Sequence, residues 1–430
     1  MIVSKFGGTS VGSADNIEKV IEIAKQKKEQ VAVVVSALGG VTNQLIRASE
    51  LSLEADPSYE NILDELDTRH TEVIDALLQG DFKESAMQHL KETLDELRMI
   101  LQGVSLLCDL SGKSAARIVS TGEILSSYLI TMAMKQRGLK AALKDSRQLI
   151  RTDDTFQNVL VDYDFTYSSI AEFFASTEAE IIVLPGFIAS NERGETTTLG
   201  RGGSDFTAAL IANGAHADCL EIWTDVSGMY TANPKLVRQA KPIESISYQE
   251  AMELSHFGAK VLYPPTVQPA LDKGIDILIK NTMEPEAPGT RITEKAKVNG
   301  SLIKGISHIE DIALLTLEGN GMVGVPGISS RLFGALADEL INVKFITQAS
   351  SEHSICLAID DQDTARAKKA VDREFEFEIL KNRVDPLVVE KQLAIIALVG
   401  DQMKSHQGIS GKMFSELGHN NVNIRAIAQG

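Results

Sequence analysis

Cysteine is scarce in this chain: Cys108, Cys219 and Cys356 are the 3 among 430 residues. They lie far apart and form no Cys-x-x-Cys pair, which argues against structural disulfides or a thiolate zinc site and suits a reducing cytoplasm. Positive charge is also in short supply. Lys and Arg total 42 against 59 Asp and Glu, for a net charge of −17. Such a balance speaks against nucleic acid, whose binding needs clustered basic residues. A small anionic substrate stays possible, because local basic groups override the global field. No apolar run approaches the ~18 residues of a membrane span. The start lacks a basic segment backed by an apolar one, so no secretory signal is expected. The 8 histidines are scattered without ligand spacing, and no protein metal site is expected.

What is present is ordinary globular material. Hydrophobic residues make up 43% and charged residues 23%, and the length calls for two to four units at ~100–200 residues each. Residues 1–36 read β-α-β: an apolar start running into Phe6, a helix from about Ser13, then Val31-Ala32-Val33-Val34-Val35. A continuous β-branched run of that kind belongs to a strand buried on both faces. Such units imply an α/β class with a mostly parallel sheet and helices on both sides. Residues of about 43–110 have helical periodicity and read as a helical insertion. A long helix from about Ala115 to Arg137 stops at Gly138. Strands resume at Ile181–Leu184, Cys219–Trp223 and Ile275–Ile279, and the polar, proline-rich stretch Glu284–Gly289 marks the end of the first domain.

An internal repeat follows. Shifted by 81 positions, Ala313–Ala349 falls on Ala394–Gly430 without a gap. Gly319, Met322, Gly327, Ile328 and Ser329 then meet identical Gly400, Met403, Gly408, Ile409 and Ser410. Each copy reads strand, glycine-containing loop, amphipathic helix, strand, the signature of a duplicated module. The first copy continues into a further strand and helix. The second stops at Gly430 where its next strand should begin, as if a longer polypeptide had been cut.

Two glycine loops carry the chemistry. In Lys5-Phe6-Gly7-Gly8-Thr9-Ser10-Val11 a strand delivers a lysine and a small-residue turn to the mouth of a helix. Free N–H groups, a positive helix end and one ammonium converge there, which suits phosphate. The second loop, Thr198-Leu199-Gly200-Arg201-Gly202-Gly203-Ser204-Asp205, opens another helix. Ser204 and Asp205 sit at its start, where a side-chain oxygen can cap, and Arg201 can grip a carboxylate through two parallel N–H bonds. Gly122-Glu123 is read as a helix start, and Val41-Thr42-Asn43 as a cap after the buried strand. Two further matches are set aside. Ser111-Gly112-Lys113-Ser114 has Leu107 where a P-loop needs its first glycine, and Gly319–Gly324 fits a dinucleotide pattern that its repeat partner does not keep.

The opening heptapeptide, the Arg201 loop, Trp223–Tyr230, Phe257–Leu262 and the repeat together resemble aspartate kinases of the amino-acid kinase superfamily. The resemblance covers essentially the whole chain. It implies an amino-acid kinase fold over residues 1–290, then tandem ferredoxin-like α+β ACT modules at 300–385 and, shortened, at 390–430. It implies ATP-dependent phosphorylation of the L-aspartate side chain, with Lys5, Asp205 and Lys260 catalytic. Thr42, Glu123, Arg201 and Ser204 would hold aspartate, Glu123 through its α-ammonium and Arg201 through its α-carboxylate. Gly7, Gly8, Thr9, Ser36, Thr224, Asp225, Tyr230 and Lys235 would hold ATP, with Mg²⁺ carried by its phosphates. Asn233 and Lys235 stand where the family has Asp and Arg, Ser120-Thr121 where it often has Ser-Arg, and Tyr263 where a histidine is common. ACT modules imply feedback by an amino acid, threonine favoured over lysine, with Gln348 and Gln429 as effector contacts, and a homodimer or larger assembly. Ile346-Thr347-Gln348 and Ile427-Ala428-Gln429 resemble the bifunctional aspartate kinase–homoserine dehydrogenases, whose second half would explain the abrupt end. The rivals are a superfamily kinase with another acidic acceptor, such as glutamate or acetylglutamate, and a non-catalytic ACT sensor.

Overall fold

The structure, a computed structural model, describes residues 1–430 except 157–158, 257–261, 296–301, 349–352, 401–402, 404–405 and 430. It divides into two units, Met1–Lys304 and Gly305–Gly430.

The first unit opens with β1 (Ile2–Phe6), α1 (Ala14–Lys25) and β2 (Val31–Val35). Ser13 caps α1, its Oγ accepting the Asn16 N–H, and every residue of β2 is buried. The insertion is helical throughout: α2 (Val41–Leu53), α3 (Tyr59–Leu77) and α4 (Gly80–Leu107), leading into α5 (Gly112–Gln136). Leucines at helical spacing, such as Leu90, Leu94, Leu97 and Leu101 on α4, bury one stripe in the same core as β2, which holds the insertion to the sheet. Next come β3 (Ala141–Leu143), α6 (Tyr163–Ser176), β4 (Ile181–Pro185), the hairpin β5 (Ile188–Ser190) and β6 (Thr196–Thr198), and α7 (Gly203–Gly214). The unit closes with β7 (Cys219–Thr224), β8 (Ser245–Ser247), α8 (Tyr248–His256), α9 (Pro264–Asp272), β9 (Asp276–Asn281) and β10 (Thr290–Thr293).

Among the described residues one sheet has the order β3-β4-β2-β1-β7-β9-β10-β8. From β3 to β9 every neighbouring pair is parallel, and β10 runs antiparallel to β9. The carboxyl ends of β1, β2, β4, β7 and β9 therefore share one edge, where open α/β sheets place ligands. The three-residue strands and β10 were not legible beforehand, being too short to show a period.

The second unit comprises β11 (Gly305–Glu318), α10 (Ile328–Asp338), β12 (Phe345–Gln348), β13 (Ser354–Asp360), α11 (Thr364–Glu374), α12 (Glu376–Leu380), β14 (Val388–Val399) and α13 (Ile409–His419). Its sheet is antiparallel, in the order β12-β13-β11-β14. The repeat is visible in the fold: α10 and α13 lie 81 positions apart, each entered through a left-handed glycine, Gly327 at φ 90° and Gly408 at φ 88°. The final strand expected of the second copy is not formed among the described residues 422–429. In the first copy β12 is held by β13; among the described residues no strand pairs with 422–429.

Candidate active site

The sheet edge assembles the site from the loops after β1, β2, β7 and β9, the first turn of α7 and the middle of α5. Lys5, on β1 between Val34 of β2 and Ile222 of β7, sends its ammonium to the loop. There Nζ stands 2.6 Å from Asp205 Oδ1. After β1 the chain makes a tight turn: Gly7 N–H donates to Trp223 O (3.2 Å), and Ser10 and Val11 N–H fold back to Gly7 O. The N–H groups of Gly8 and Thr9 donate to no acceptor among the described residues, leaving two donors beside an ammonium. A side chain at Gly8 would bring its Cβ within 3.1 Å of Ala37 O and 3.2 Å of Gly39 Cα. The two loops touch backbone to backbone, which only glycine permits.

Ser36, placed by the resemblance on the nucleotide side, lies against the other loop. Its Oγ donates to Ser204 Oγ (3.0 Å) and its carbonyl accepts from Ser126 Oγ of α5 (2.8 Å). Two expected caps are corrected. Gly40 (φ 88°), not Thr42 or Asn43, caps α2. Gly202 (φ 72°), not Ser204, caps α7, leaving the Ser204 hydroxyl for Ser36. A left-handed glycine turns the chain sharply into the helix, so the hydroxyls that follow stay free of capping. Thr42 occupies the first turn of α2, and Asp205 the first turn of α7, where a carboxylate is favoured.

Glu123 is a further correction: it lies well inside α5, not at a helix start. Gly122 is the reason. Its missing side chain lets α5 approach until a Cβ there would stand 2.6 Å from Ala37 Cβ and 3.2 Å from Val41 Cγ1. Glu123 is 3% exposed. Burial pushes its carboxyl up to about 8, against a hydrogen bond from the Ala37 backbone that pulls it down. Oε2 has no partner among the described residues. A buried, unsatisfied carboxyl of this kind awaits a donor.

Arg201 is exposed on its loop, its guanidinium 5.3 Å from the ring centre of Tyr263. Sequence reasoning had attached no role to Tyr263; its packing as a cation–π partner restrains the arginine. On the other side of β1, Thr224 Oγ1 donates to Asp225 Oδ1 (3.1 Å), and Tyr230 forms a single antiparallel bridge with Pro242. Asn233 Oδ1 accepts the Lys235 N–H (3.0 Å), so the asparagine shapes the turn that presents the exposed Lys235. Lys260 lies outside the described residues. Arg69 of α3, missed from sequence, donates from Nη2 to Gly12 O (3.3 Å); only tertiary packing brings the insertion to that loop. Among the described residues no three His, Cys, Asp or Glu side chains gather as a metal site, and no helix is long and apolar enough to cross a membrane.

The chain matches the amino acid kinase family over residues 1–281 and the ACT domain over residues 315–375 and 396–430. It is 32% identical to the lysine-sensitive aspartokinase 3 of Escherichia coli, aligning over 100% of this chain and 93% of that protein. The chain belongs to the aspartokinases. A bifunctional aspartokinase/homoserine dehydrogenase of Zea mays, named as chloroplastic, is 35% identical over 100% of this chain and 47% of its own length. The chain thus spans about half the length of such bifunctional relatives. A crystal structure of E. coli aspartokinase III with aspartate and ADP, in the R-state, superposes with TM-score 0.83 at 31% identity, covering 100% of this chain and 94% of that one. The same aspartokinase with lysine and aspartate, in the T-state, gives 0.81 at 32% identity and 93% coverage of that chain.

In this aspartokinase the second unit holds an open cavity of about 540 Å³, lined by Gly324–Ser330, Met322, Ile355 and Gln348. Gln348, at the end of β12, is exposed toward it; Gln429 is not among its lining residues.

Proposed function

We propose that the chain transfers the γ-phosphoryl group of ATP to the side-chain carboxylate of L-aspartate, giving 4-phospho-L-aspartate. The observation that carries this reading is Glu123: buried, lacking a partner at Oε2 and held near neutral charge until a cation arrives. An α-ammonium supplies that cation, and Arg201 meets the α-carboxylate of the same molecule. The side-chain carboxylate then faces the Lys5–Asp205 pair. With an ordinary pKa of ~4 it is already ionised, so no general base is needed. Catalysis reduces to alignment and charge neutralisation. Lys5, with the free N–H groups of Gly8 and Thr9, takes the negative charge of the phosphates, and Lys260 is assigned the same work. Mg²⁺ would be held by the nucleotide phosphates, where it neutralises developing charge. Thr224, Asp225, Tyr230 and Lys235 line the segment assigned to base, ribose and phosphate. The test is to incubate the full chain with Mg-ATP, aspartate and hydroxylamine. An aspartyl hydroxamate, dependent on both substrates, supports the reading; its absence from a folded, ATP-binding chain refutes it.

Feedback is assigned to the cavity beside Gln348, with threonine as effector in preference to the lysine bound by the E. coli neighbour. Titrating threonine and lysine into the turnover assay decides between them. The ACT unit is also assigned a dimer contact, read by sedimentation. The free cysteines suit a reducing compartment such as the cytoplasm.

A further inference from the structure

Directly after β9, Thr282 is wholly buried, and so is Ser10 of the phosphate loop. Their hydroxyl oxygens lie 2.7 Å apart. Ser10 Oγ also reaches Trp223 O at 3.3 Å. Either hydroxyl can supply the proton between them, and the pair links Thr282 through Ser10 to the Trp223 carbonyl. That carbonyl accepts the Gly7 N–H as well. The Thr282 N–H donates in turn to Thr224 O (2.9 Å). One residue thus grips the phosphate loop with its side chain and the start of the Thr224–Tyr230 segment with its backbone.

The acceptor at the end of this chain is itself fixed. The Trp223 ring stacks on Phe6 with centroids 5.8 Å apart and donates from Nε1 to Glu221 Oε2 (2.9 Å). The Lys280 ammonium lies 5.2 Å from its centroid. Glu221 is held by Ser4 Oγ (2.9 Å) and Lys27 Nζ (2.6 Å). A buried network with every member satisfied resists displacement.

We propose that Thr282 is a positioning residue for the nucleotide: it sets the spacing between the phosphate cradle at Gly7–Thr9 and the base-and-ribose segment at Thr224–Tyr230. The inference rests on the nucleotide reading of those two segments. Thr282 acts through Ser10 and Thr224 and makes no contact with the reacting atoms. Removing its hydroxyl leaves Ser10 without its 2.7 Å partner and frees the loop to drift.

The test uses Thr282→Val, which keeps the shape and the backbone N–H, with Thr282→Ser and Ser10→Ala beside it in the full chain. Mg-ADP affinity is measured by titration calorimetry, and the KM values for ATP and aspartate by turnover. Thr282→Val should weaken Mg-ADP and raise the KM for ATP about fivefold, the worth of one hydrogen bond, while the KM for aspartate stays within about twofold. Thr282→Ser should restore wild-type values. Ser10→Ala should match Thr282→Val, and the double variant should be no worse than either, since both act in one chain. A lowered Tm with unchanged ATP affinity, or equal effects on both substrates, overturns the proposal. If Thr282→Val fails to fold, Ser10→Ala decides alone on the same affinities. Failure of the underlying reading looks different: the wild-type chain would then not bind Mg-ADP at all.

Discussion

Lys5 Nζ and Asp205 Oδ1 form a 2.6 Å ion pair that joins β1 to the first turn of α7, each side chain only 13% exposed. The β1 end of the Gly7–Thr9 turn and the Arg201–Asp205 loop are thereby linked. Lys5→Met should cut kcat by ~10²–10³-fold, because it removes charge stabilisation that matters most in the transition state. It should also lower stability by about 3 kcal/mol, by leaving a poorly hydrated carboxylate alone. Lys5→Met/Asp205→Asn should regain part of that stability and none of the activity, read by thermal unfolding and turnover.

On the proposed reading of Glu123, aspartate binding should be a proton-releasing event. Its carboxyl, pushed up to about 8 by burial, is mostly protonated at pH 7, and an arriving ammonium favours the charged form. Binding should release close to one proton at pH 7, and none above pH ~9, where the group is already ionised. Calorimetry in buffers of different ionisation enthalpy counts it. Glu123→Gln should abolish the release and raise the KM for aspartate at least ~10-fold. A wild-type proton count of zero at pH 7 contradicts the assignment.

Acid stability should be governed in part by His70. Buried on α3 with Nδ1 bonded to Leu66 O (2.7 Å), its imidazole is lowered from 6.5 to about 4, chiefly by burial. Between those values the unfolded chain takes up a proton that the native one refuses. Stability is therefore full above pH ~6.5 and declines as pH falls toward 4, by about 3 kcal/mol in all. Glu123 has the opposite sign: its raised value favours the fold below pH ~4.5, and that contribution is lost as pH rises through 8. Thermal unfolding of Glu123→Gln and His70→Leu across pH 4–8 separates the two slopes.

Gly122→Ala places a methyl 2.6 Å from Ala37 Cβ. The contact cannot be relieved by rotating a long side chain. We expect a loss of about 2 kcal/mol from overpacking and a raised KM for aspartate, since α5 carries Glu123 away from α2. Unchanged kinetics in a destabilised variant would show that the α5–α2 contact does not set the Glu123 position.

How far the site was legible in the sequence follows from the range of the forces involved. The β1–loop–α1 passage and the buried β2 were readable because Gly7, Gly8 and Ser13 act locally and Val31–Val35 announce burial on both faces. The helical insertion and the repeat were readable from period alone, down to the matched glycine entries of α10 and α13. The caps at Gly40 and Gly202 were misjudged, because a left-handed glycine and a hydroxyl compete for one position and only the backbone shows which wins. Glu123 was misplaced for a related reason: Gly122 looked like a helix boundary and proved to be a close-packing point inside α5. Arg69, Tyr263, Trp223 and Thr282 matter through contacts 57 or more positions away, which no local pattern encodes.

The most direct measurement of the central claim is ADP release from the full chain with Mg-ATP and, in turn, L-aspartate, L-glutamate, N-acetyl-L-glutamate and no acceptor, in wild type and Arg201→Ala. The account predicts turnover with aspartate alone, and a KM for aspartate raised at least ~10-fold with little change in kcat when Arg201 is lost. Equal turnover with glutamate, or a kcat collapse at constant KM in Arg201→Ala, would contradict it.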